Sequence, residues 1–175
     1  MEFTSVKKQQ WSEIKEIYME AFPKCERKPF FLLRQSIKRK KAVLAVAAEG
    51  NQLLGFTVFV VYKDMVMIDY LAVSSKIRSR GTGSHICGQF PDKKIVLLIE
   101  RVDDMAENCQ QRTARRRFYL KNGFTSSGIF ITGAGGDMEV LNYGGTVSQE
   151  EYMDLQRYAL GKLFFRLSRI QLAEV

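Results

Sequence analysis

The stretch from Met65 to Phe90 (MVMIDYLAVSSKIRSRGTGSHICGQF) constrains the fold most, because it joins an apolar strand to a basic, glycine-bearing loop and then to a helix. The strand pattern covers Met65 to Val73, and the helix is predicted to begin near Gly81. Backbone N–H groups at a helix start have no intrahelical partner, and the helix dipole favours negative charge there. The stretch therefore indicates an anion site, with a phosphate-bearing ligand as the first expectation.

The loop itself carries the residue types that such a site needs. Arg78 and Arg80 add positive charge, while Gly81 and Gly83 let a ligand approach the backbone closely. Taken alone, these glycines are equally typical of a plain tight turn. Two known phosphate loops are excluded, because no GxxxxGK(S/T) string exists and a dinucleotide fingerprint would need Gly or Ala in place of Ile86.

Length and composition limit the remaining classes. With 175 residues, 46% of them hydrophobic and 26% charged, the chain is predicted to form one globular domain spanning residues 1–175. It lacks an apolar run of about 18 residues and a signal-peptide core, which predicts a cytoplasmic protein without a membrane partner. Three cysteines without CxxC spacing and one histidine predict no metal site and no disulfide framework. The net charge of +8 suits a polyanionic ligand or partner but does not choose among nucleotide, nucleic acid and membrane surface.

The order of apolar patterns predicts an α/β fold with a mixed, mostly antiparallel sheet flanked by helices. Two helices come first, and three strands joined by tight turns then form a meander. A strand, a helix and a doubly buried strand follow, which is the pattern of a central parallel pair. A helix, two more strands and a last helix complete the chain. The predicted elements are helices at Gln9–Phe22, Phe30–Lys38, Gly81–Phe90 and Gln110–Lys121, strands at Glu2–Val6, Ala42–Ala48, Gln52–Tyr62, Met65–Val73, Lys94–Glu100, Thr125–Ile131 and Asp137–Asn142, and a helix from the Ser148–Glu151 capping box.

A second motif, RRRFYLKNGF from Arg115 to Phe124, indicates how the stretch from Met65 to Phe90 is to be interpreted. Together the two stretches resemble the GNAT superfamily of N-acetyltransferases, which use acetyl-coenzyme A. The family pattern (R/Q)xxGx(G/A) is matched by Arg78, Gly81 and Gly83, and a pattern close to aromatic-Tyr-x-x-x-Gly-Phe is matched within the second motif. The resemblance covers about residues 1–143 and leaves a C-terminal helical extension at about 148–172. The AFPKCERKPF turn is similar to that of a bacterial subset of members.

The resemblance implies where acetyl-coenzyme A is held, and it implies no metal. The central parallel strands are expected to splay at a bulge, with the pantetheine arm running alongside Leu71, Ala72 and Val73. The pyrophosphate is expected against the backbone amides of Arg78, Ser79, Arg80, Gly81, Thr82, Gly83 and Ser84. Backbone N–H groups at the strand are placed to stabilise an oxyanion.

The resemblance also implies catalytic roles. Tyr119 matches the general acid that protonates the leaving thiolate, and the alternative is a buried aromatic residue on an amphipathic helix. Some relatives carry the base where Met67 is expected to stand, so the proton acceptor is expected to be Asp69 or Glu100 instead. The alternative for each is a structural hydrogen bond or a substrate-orienting contact.

The function expected is acetyl transfer to a primary amine of a small molecule or peptide, by direct attack in a ternary complex. The acceptor is expected between the first two helices, including Phe22 to Phe31, and the last strand pair. A catalytically inactive acyl-coenzyme A-binding protein is one alternative. A nucleic-acid-binding protein is another, raised by Arg112 and Arg115 to Arg117, although no aromatic RNA-reading pattern accompanies these arginines. A monomer or a homodimer is expected.

Overall fold

The computed structural model describes most of the chain, and its described residues are 2–22, 27–50, 52–74, 90, 92–133 and 136–173. They form two compact units. The first comprises Met1–Val60 and Ile68–Phe90, and the second comprises Val61–Met67 and Pro91–Val175. The prediction of a single domain stays a prediction.

The first unit contains an antiparallel meander and two helices. Its strands are β1 (Glu2–Ser5), β2 (Val43–Glu49), most of β3 (Gln52–Tyr62) and most of β4 (Met65–Val73), and its helices are α1 (Trp11–Ala21) and α2 (Phe30–Lys38). β1 pairs with β2 and β2 with β3, both antiparallel. Gly50 turns the β2–β3 hairpin at φ +57°, a backbone conformation that favours glycine.

Helix α1 forms because its apolar residues recur at helical spacing. Ile14, Ile17 and Tyr18 are buried, while the three glutamates of the helix are exposed. The core of this unit also contains Phe56 and Val58 from β3. The predicted bounds of α2, β3 and β4 are confirmed.

The second unit holds β5 (Lys94–Glu100), α3 (Cys109–Lys121), β6 (Thr125–Thr132), β7 (Met138–Tyr143), α4 (Gln149–Ser168) and β8 (Gln171–Leu172). Strand β5 lies antiparallel to β7, from Ile95 opposite Tyr143 to Glu100 opposite Met138. The Lys94 N–H donates to the Asp64 carbonyl at 3.1 Å, so β5 starts beside the start of β4. The described strands are ordered β1-β2-β3-β4-β5-β7-β6-β8, and β4 and β5 are the one parallel pair among them, which confirms the predicted mixed, mostly antiparallel sheet.

The helix ends of this unit follow their sequence signals. Gly123 takes φ +85° directly after α3, as expected of a residue that terminates a helix. The Ser148 hydroxyl accepts from the Glu151 N–H at 3.1 Å, and the Glu151 carboxylate accepts from the Ser148 N–H at 2.8 Å, which confirms the capping box.

Two features of the C-terminal region were not predicted. Gly161 interrupts α4 with φ 73° and ψ 161°, so the helix is two shorter segments separated by a kink. Strand β8 pairs with β6 through Leu172 opposite Ile131. Within the described ranges, no helix combines the length and apolar character needed to cross a membrane.

Candidate active site

The end of β4 is the part of the predicted donor site that the structure describes. Leu71 and Val73 are half-buried and pack against the buried side chains of Ala47 and Leu54, whereas Ala72 is itself buried. This strand end therefore presents partly exposed apolar side chains on an ordered, extended backbone. Such a surface suits an extended ligand laid along the strand.

Gly55 on β3 lies unusually close to the same strand end. A Cβ atom at this position would stand 2.4 Å from the Ala72 carbonyl oxygen and 3.1 Å from the Val73 Cα. One residue away, the Ser74 N–H donates to the Leu54 carbonyl at 2.9 Å. Only glycine allows the two backbones to approach so closely, so Gly55 sets the position of Ala72 and Val73.

The predicted phosphate cradle lies outside the described residues. This applies to the helix predicted from Gly81, except for Phe90, and to Arg78, Ser79, Arg80, Gly81, Thr82, Gly83 and Ser84. Their assignment to coenzyme A stays a prediction.

Asp69, one of the two predicted proton acceptors, is paired with a lysine. The Lys28 ammonium lies 2.9 Å and 2.7 Å from the two carboxylate oxygens of Asp69, and the Lys28 N–H donates to the Tyr70 hydroxyl at 3.2 Å. The Lys28 side chain is 43% exposed and that of Asp69 is 23% exposed. The pair is therefore reachable from solvent.

Aromatic side chains fasten the segment before α2 to β4. The Tyr18 hydroxyl donates to the Lys28 carbonyl at 3.0 Å, and its ring lies edge-on to Tyr70 at 5.0 Å. Phe22 and Phe30 pack on the same Tyr18 ring. Burial, followed by the hydrogen bond with Tyr70, raises the pKa of Tyr18 far above its usual value. Tyr18 is thus a neutral donor that holds Lys28 beside Asp69.

Glu100, the other predicted acceptor, is enclosed by side chains of α3 and the loop before it. Arg112 and Arg115 approach its carboxylate at 3.0 Å and 3.5 Å, and the Asn108 amide donates to it at 3.1 Å. Its side chain is only 12% exposed. Both oxygens therefore have cationic or amide partners, which favours the alternative of a structural contact joining β5 to α3.

A second arginine of α3 forms a more buried ion pair. Arg116 donates to Glu139 on β7 through Nε at 2.8 Å and Nη2 at 3.2 Å, and Glu139 is 4% exposed. Burial alone would raise the pKa of Glu139, but the hydrogen bonds from Arg116 and Ser126 outweigh it and lower the pKa. With Arg112 and Arg115 on Glu100, three of the four arginines that suggested a nucleic-acid surface face carboxylates within this unit.

Tyr119 lies in α3 with its ring almost fully buried. Phe118 and Phe124 flank it at centroid distances of 5.2 Å and 5.4 Å, and the Phe124 N–H donates to the Tyr119 carbonyl at 3.1 Å. The fold thus brings the aromatic residues of the second motif together. The packing suits both the general acid and the buried aromatic residue, so the role of Tyr119 stays a prediction.

Gln156, which no sequence motif had singled out, contacts the strand position discussed for a base. It is 3% exposed, and its amide donates to the Tyr152 hydroxyl at 2.6 Å and to the Met67 sulfur at 3.4 Å. The only signal was a polar residue on the apolar stripe formed by Tyr152 and Leu155, at helical spacing. Met67 is therefore covered by an uncharged amide.

A cavity of about 790 Å³ lies between α1 and α2. The acceptor was expected between these helices and the last strand pair, around Gly133 to Asn142, and that location stays a prediction. The cavity combines aromatic, apolar and basic side chains, and its described lining residues include no carboxylate. These are Trp11, Ser12, Lys15, Met19, Arg27, Lys28, Pro29, Phe30, Phe31 and Arg34. The volume falls in the range of small-molecule sites, roughly 300–1,000 Å³. In the described residues, no cluster of three His, Cys, Asp or Glu side chains offers a metal site.

The fold of this chain is that of an acyltransferase. It combines a mixed sheet that has a central parallel pair with an apolar strand end and a tyrosine motif on a helix. The family model of the acetyltransferase (GNAT) domain matches residues 40–126, which include β4 and the whole second motif. The chain belongs to the GNAT superfamily of acetyltransferases.

Solved structures share this fold at low sequence identity. A GNAT-family protein from Bacteroides thetaiotaomicron has a TM-score of 0.74 and 18% identity, covering 94% of this chain and 99% of its own. An aminoglycoside 6'-N-acetyltransferase complexed with coenzyme A has a TM-score of 0.62 and 13% identity, covering 81% and 96%. The ribosomal-protein-S18-alanine N-acetyltransferase from Escherichia coli has a TM-score of 0.60 and 13% identity, covering 85% and 96%. No curated protein matches the sequence significantly.

Proposed function

We propose that this protein transfers an acetyl group from acetyl-coenzyme A to a primary amine, by direct attack in a ternary complex. The observation that carries the proposal is the strand end at Leu71–Val73, which offers half-buried apolar side chains and an extended backbone in a chain of the GNAT superfamily. A related fold is known in complex with coenzyme A, which supports the same donor here.

The donor is held by two segments in this proposal. Leu71, Ala72 and Val73 lie along the pantetheine arm, and their described geometry fits an extended ligand. The residues from Arg78 to Ser84 bind the pyrophosphate through backbone N–H groups and two arginines. Acetyl-coenzyme A supplies an activated thioester, so the residues of this chain need only bind, orient and move protons.

Proton transfer requires a donor for the thiolate and an acceptor for the amine. Tyr119 is the proposed donor. Asp69 is the better of the two proposed acceptors, because Lys28 is its one ion-pair partner in the described part of the chain and is itself 43% exposed. Glu100 would first have to lose arginine contacts, which makes a structural role the better assignment.

The acceptor is proposed to be an amine of a small molecule or a peptide. The structural neighbours include an aminoglycoside N-acetyltransferase and a ribosomal-protein-alanine N-acetyltransferase. The neighbours therefore do not favour one kind of acceptor. A cytoplasmic location, a single domain and a monomeric or homodimeric state accompany this proposal as expectations from the sequence.

Two measurements test the proposal together. Acetyl-coenzyme A is expected to raise the melting temperature, and a panel of amines is expected to release free coenzyme A thiol. Tyr119→Phe is expected to lower kcat by about 10²–10⁴-fold, because general acid catalysis commonly contributes this much. The thermal stabilisation by acetyl-coenzyme A is expected to persist in that variant.

The matched control is Tyr158→Phe, which removes the hydroxyl of a half-exposed tyrosine on α4. It is expected to leave kcat unchanged. An unchanged kcat in Tyr119→Phe would remove the acid assignment. Stabilisation by the donor without thiol release from any amine would instead indicate a binding protein that has lost catalysis.

A further inference from the structure

The cavity between α1 and α2 has an unbalanced charge. Lys15, Arg27, Lys28 and Arg34 all line it, and none of its described lining residues is acidic. A cluster of like charges on one surface raises the local positive potential and attracts anions. An anionic group is the complement that this arrangement lacks.

Only one of the four cations has a carboxylate partner among the described residues. Lys28 pairs with Asp69. Arg27 instead donates through Nη1 to the Met19 carbonyl at 3.2 Å and to the Met19 sulfur at 2.8 Å, and its buried Nε has no acceptor within the described segments. Arg34 lies over the Trp11 ring at 4.8 Å. Arginines with unused donors are suited to bind a carboxylate.

The surroundings of the cavity increase its positive potential. The first turn of α2 contributes Pro29, Phe30 and Phe31 to the lining, and no described side chain caps this helix start. The positive end of the helix dipole therefore adds to the arginines. The glutamates of α1, which are Glu13, Glu16 and Glu20, are exposed and do not line the cavity.

The remaining wall is apolar and partly exposed. Trp11 and Phe30 meet edge-on at 6.1 Å, and Phe31 is 68% exposed. Aromatic side chains gain the burial of apolar area when a ligand covers them. The cavity thus offers an apolar wall beside a cationic one.

We infer that the cavity binds an acceptor amine that also carries a carboxylate next to an apolar or aromatic group. Arg27 and Arg34 bind the carboxylate, and Trp11 and Phe30 contact the apolar part. The inference rests on the proposed function, since the cavity is taken as the acceptor site. Lys28 connects the cavity to the donor strand, because its partner Asp69 stands two residues before Leu71 in β4. Polycationic amines are excluded by the same charge.

The two sources of this chemistry are free amino acids and acidic peptides. Binding can be measured without catalysis, because Trp11 is the single tryptophan of the chain and lines the cavity. N-acetyl-L-phenylalanine and N-acetyl-Glu-Phe-Glu-amide carry carboxylates but no amine, so they cannot be acetylated. Their neutral counterparts are N-acetyl-L-phenylalanine amide and N-acetyl-Gln-Phe-Gln-amide. We expect at least one acid to change Trp11 fluorescence with a Kd at least about tenfold lower than that of its neutral counterpart.

Charge-removing variants identify the residues responsible. Arg27→Gln and Arg34→Gln are each expected to raise the Kd of the bound acid by about tenfold or more, since charge-assisted hydrogen bonds are lost. Lys15 has no ion pair among the described residues, so Lys15→Gln tests how much the positive potential of the cavity contributes. We expect it to raise the Kd of the bound acid by less than the arginine variants do. Arg39→Gln is the matched control, because Arg39 follows α2 and does not line the cavity. Equal binding of acids and neutral analogues, or binding unaffected by all three lining variants, would overturn the inference.

Turnover separates this inference from the proposed function. L-Phenylalanine and Glu-Phe-Glu-amide are compared with phenylalanine amide, Gln-Phe-Gln-amide and phenethylamine as acetyl acceptors, by release of coenzyme A thiol. Charge-dependent binding at Trp11 without acetylation of any amine would support the anion site and contradict the proposed function. Faster acetylation of the neutral or cationic amines would support the proposed function and overturn the inferred acceptor class.

Discussion

Gly55 gives the sharpest test of how the fold positions the donor strand. In Gly55→Ala, the new Cβ atom would stand 2.4 Å from the Ala72 carbonyl oxygen and 3.3 Å from its carbonyl carbon. The contact with the oxygen is about 1 Å shorter than ordinary van der Waals contact, which begins at 3.4 Å. The atom that clashes belongs to the backbone, so no rotamer change can relieve it. One of the two strands must move.

This displacement predicts losses of both stability and activity. Overpacking typically costs about 1–3 kcal/mol, and a backbone clash belongs at the upper end, near 3 kcal/mol. For a protein of this size, that corresponds to a fall in Tm of about 6–12 °C. A shift of about 1 Å in a strand that aligns the reacting groups can lower the rate by about 10²-fold. We therefore expect kcat/KM for acetyl-coenzyme A to fall by this order.

Gly50→Ala is the control that separates backbone strain from a displacement of β4. Gly50 has φ +57°, and a Cβ atom added there would meet no other heavy atom within 4 Å, so Gly50→Ala strains the hairpin without touching β4. The left-handed conformation costs about 1–2 kcal/mol for a non-glycine residue. Gly50→Ala should thus lower Tm while leaving kcat/KM for acetyl-coenzyme A unchanged, in assays run well below both melting temperatures. A Gly55→Ala protein with the Tm and kcat/KM of the wild type would refute the argument.

Two further predictions concern the ion pair between Arg116 and Glu139. Arg116→Met removes the arginine from the buried Glu139 carboxylate and is expected to lower the free energy of unfolding by about 3 kcal/mol. This is the low end of the range for breaking a buried ion pair, because the Arg116 side chain is one-third exposed. The double variant with Glu139→Met is expected to recover most of that loss in denaturant unfolding, and a double variant no more stable than Arg116→Met would contradict the assignment. The folded-state pKa of Glu139 is below its usual value of 4.5, so its stabilisation is complete above that pH and is lost as the pH falls through the folded-state pKa. Below pH 4.5, Tm should therefore fall more steeply in the wild type than in Glu139→Gln, and parallel Tm curves would show that Glu139 does not contribute.

Local patterns predicted the main elements well. The bounds of α2, β3, β4 and β5 follow from apolar periodicity and turn residues, which act over a few neighbouring positions. The kink at Gly161 and the two-residue β8 were missed. A glycine within a helical pattern does not show whether the helix continues, and two residues are too few to display a period.

The features of the candidate site also differ in whether the sequence alone could predict them. The sequence alone predicted the family, the strand end at Leu71–Val73 and the tyrosine motif, because these are contiguous patterns with fixed spacing. It could place Asp69 within β4 and Glu100 at the end of β5 but could not name their partners. Lys28 is 41 residues from Asp69, and Arg112 and Arg115 are 12 and 15 residues from Glu100.

The stretch around β4 shows what each level determines. Its sequence specified an apolar strand that leads into a basic, glycine-bearing loop, because residue volume, charge and backbone freedom are local properties. Three features were decided only by the tertiary structure. Gly55 lies against Ala72, Lys28 forms an ion pair with Asp69, and a cavity lined by cationic side chains lies between α1 and α2. Those features depend on which distant side chains meet, and the folding of the chain as a whole selects these contacts.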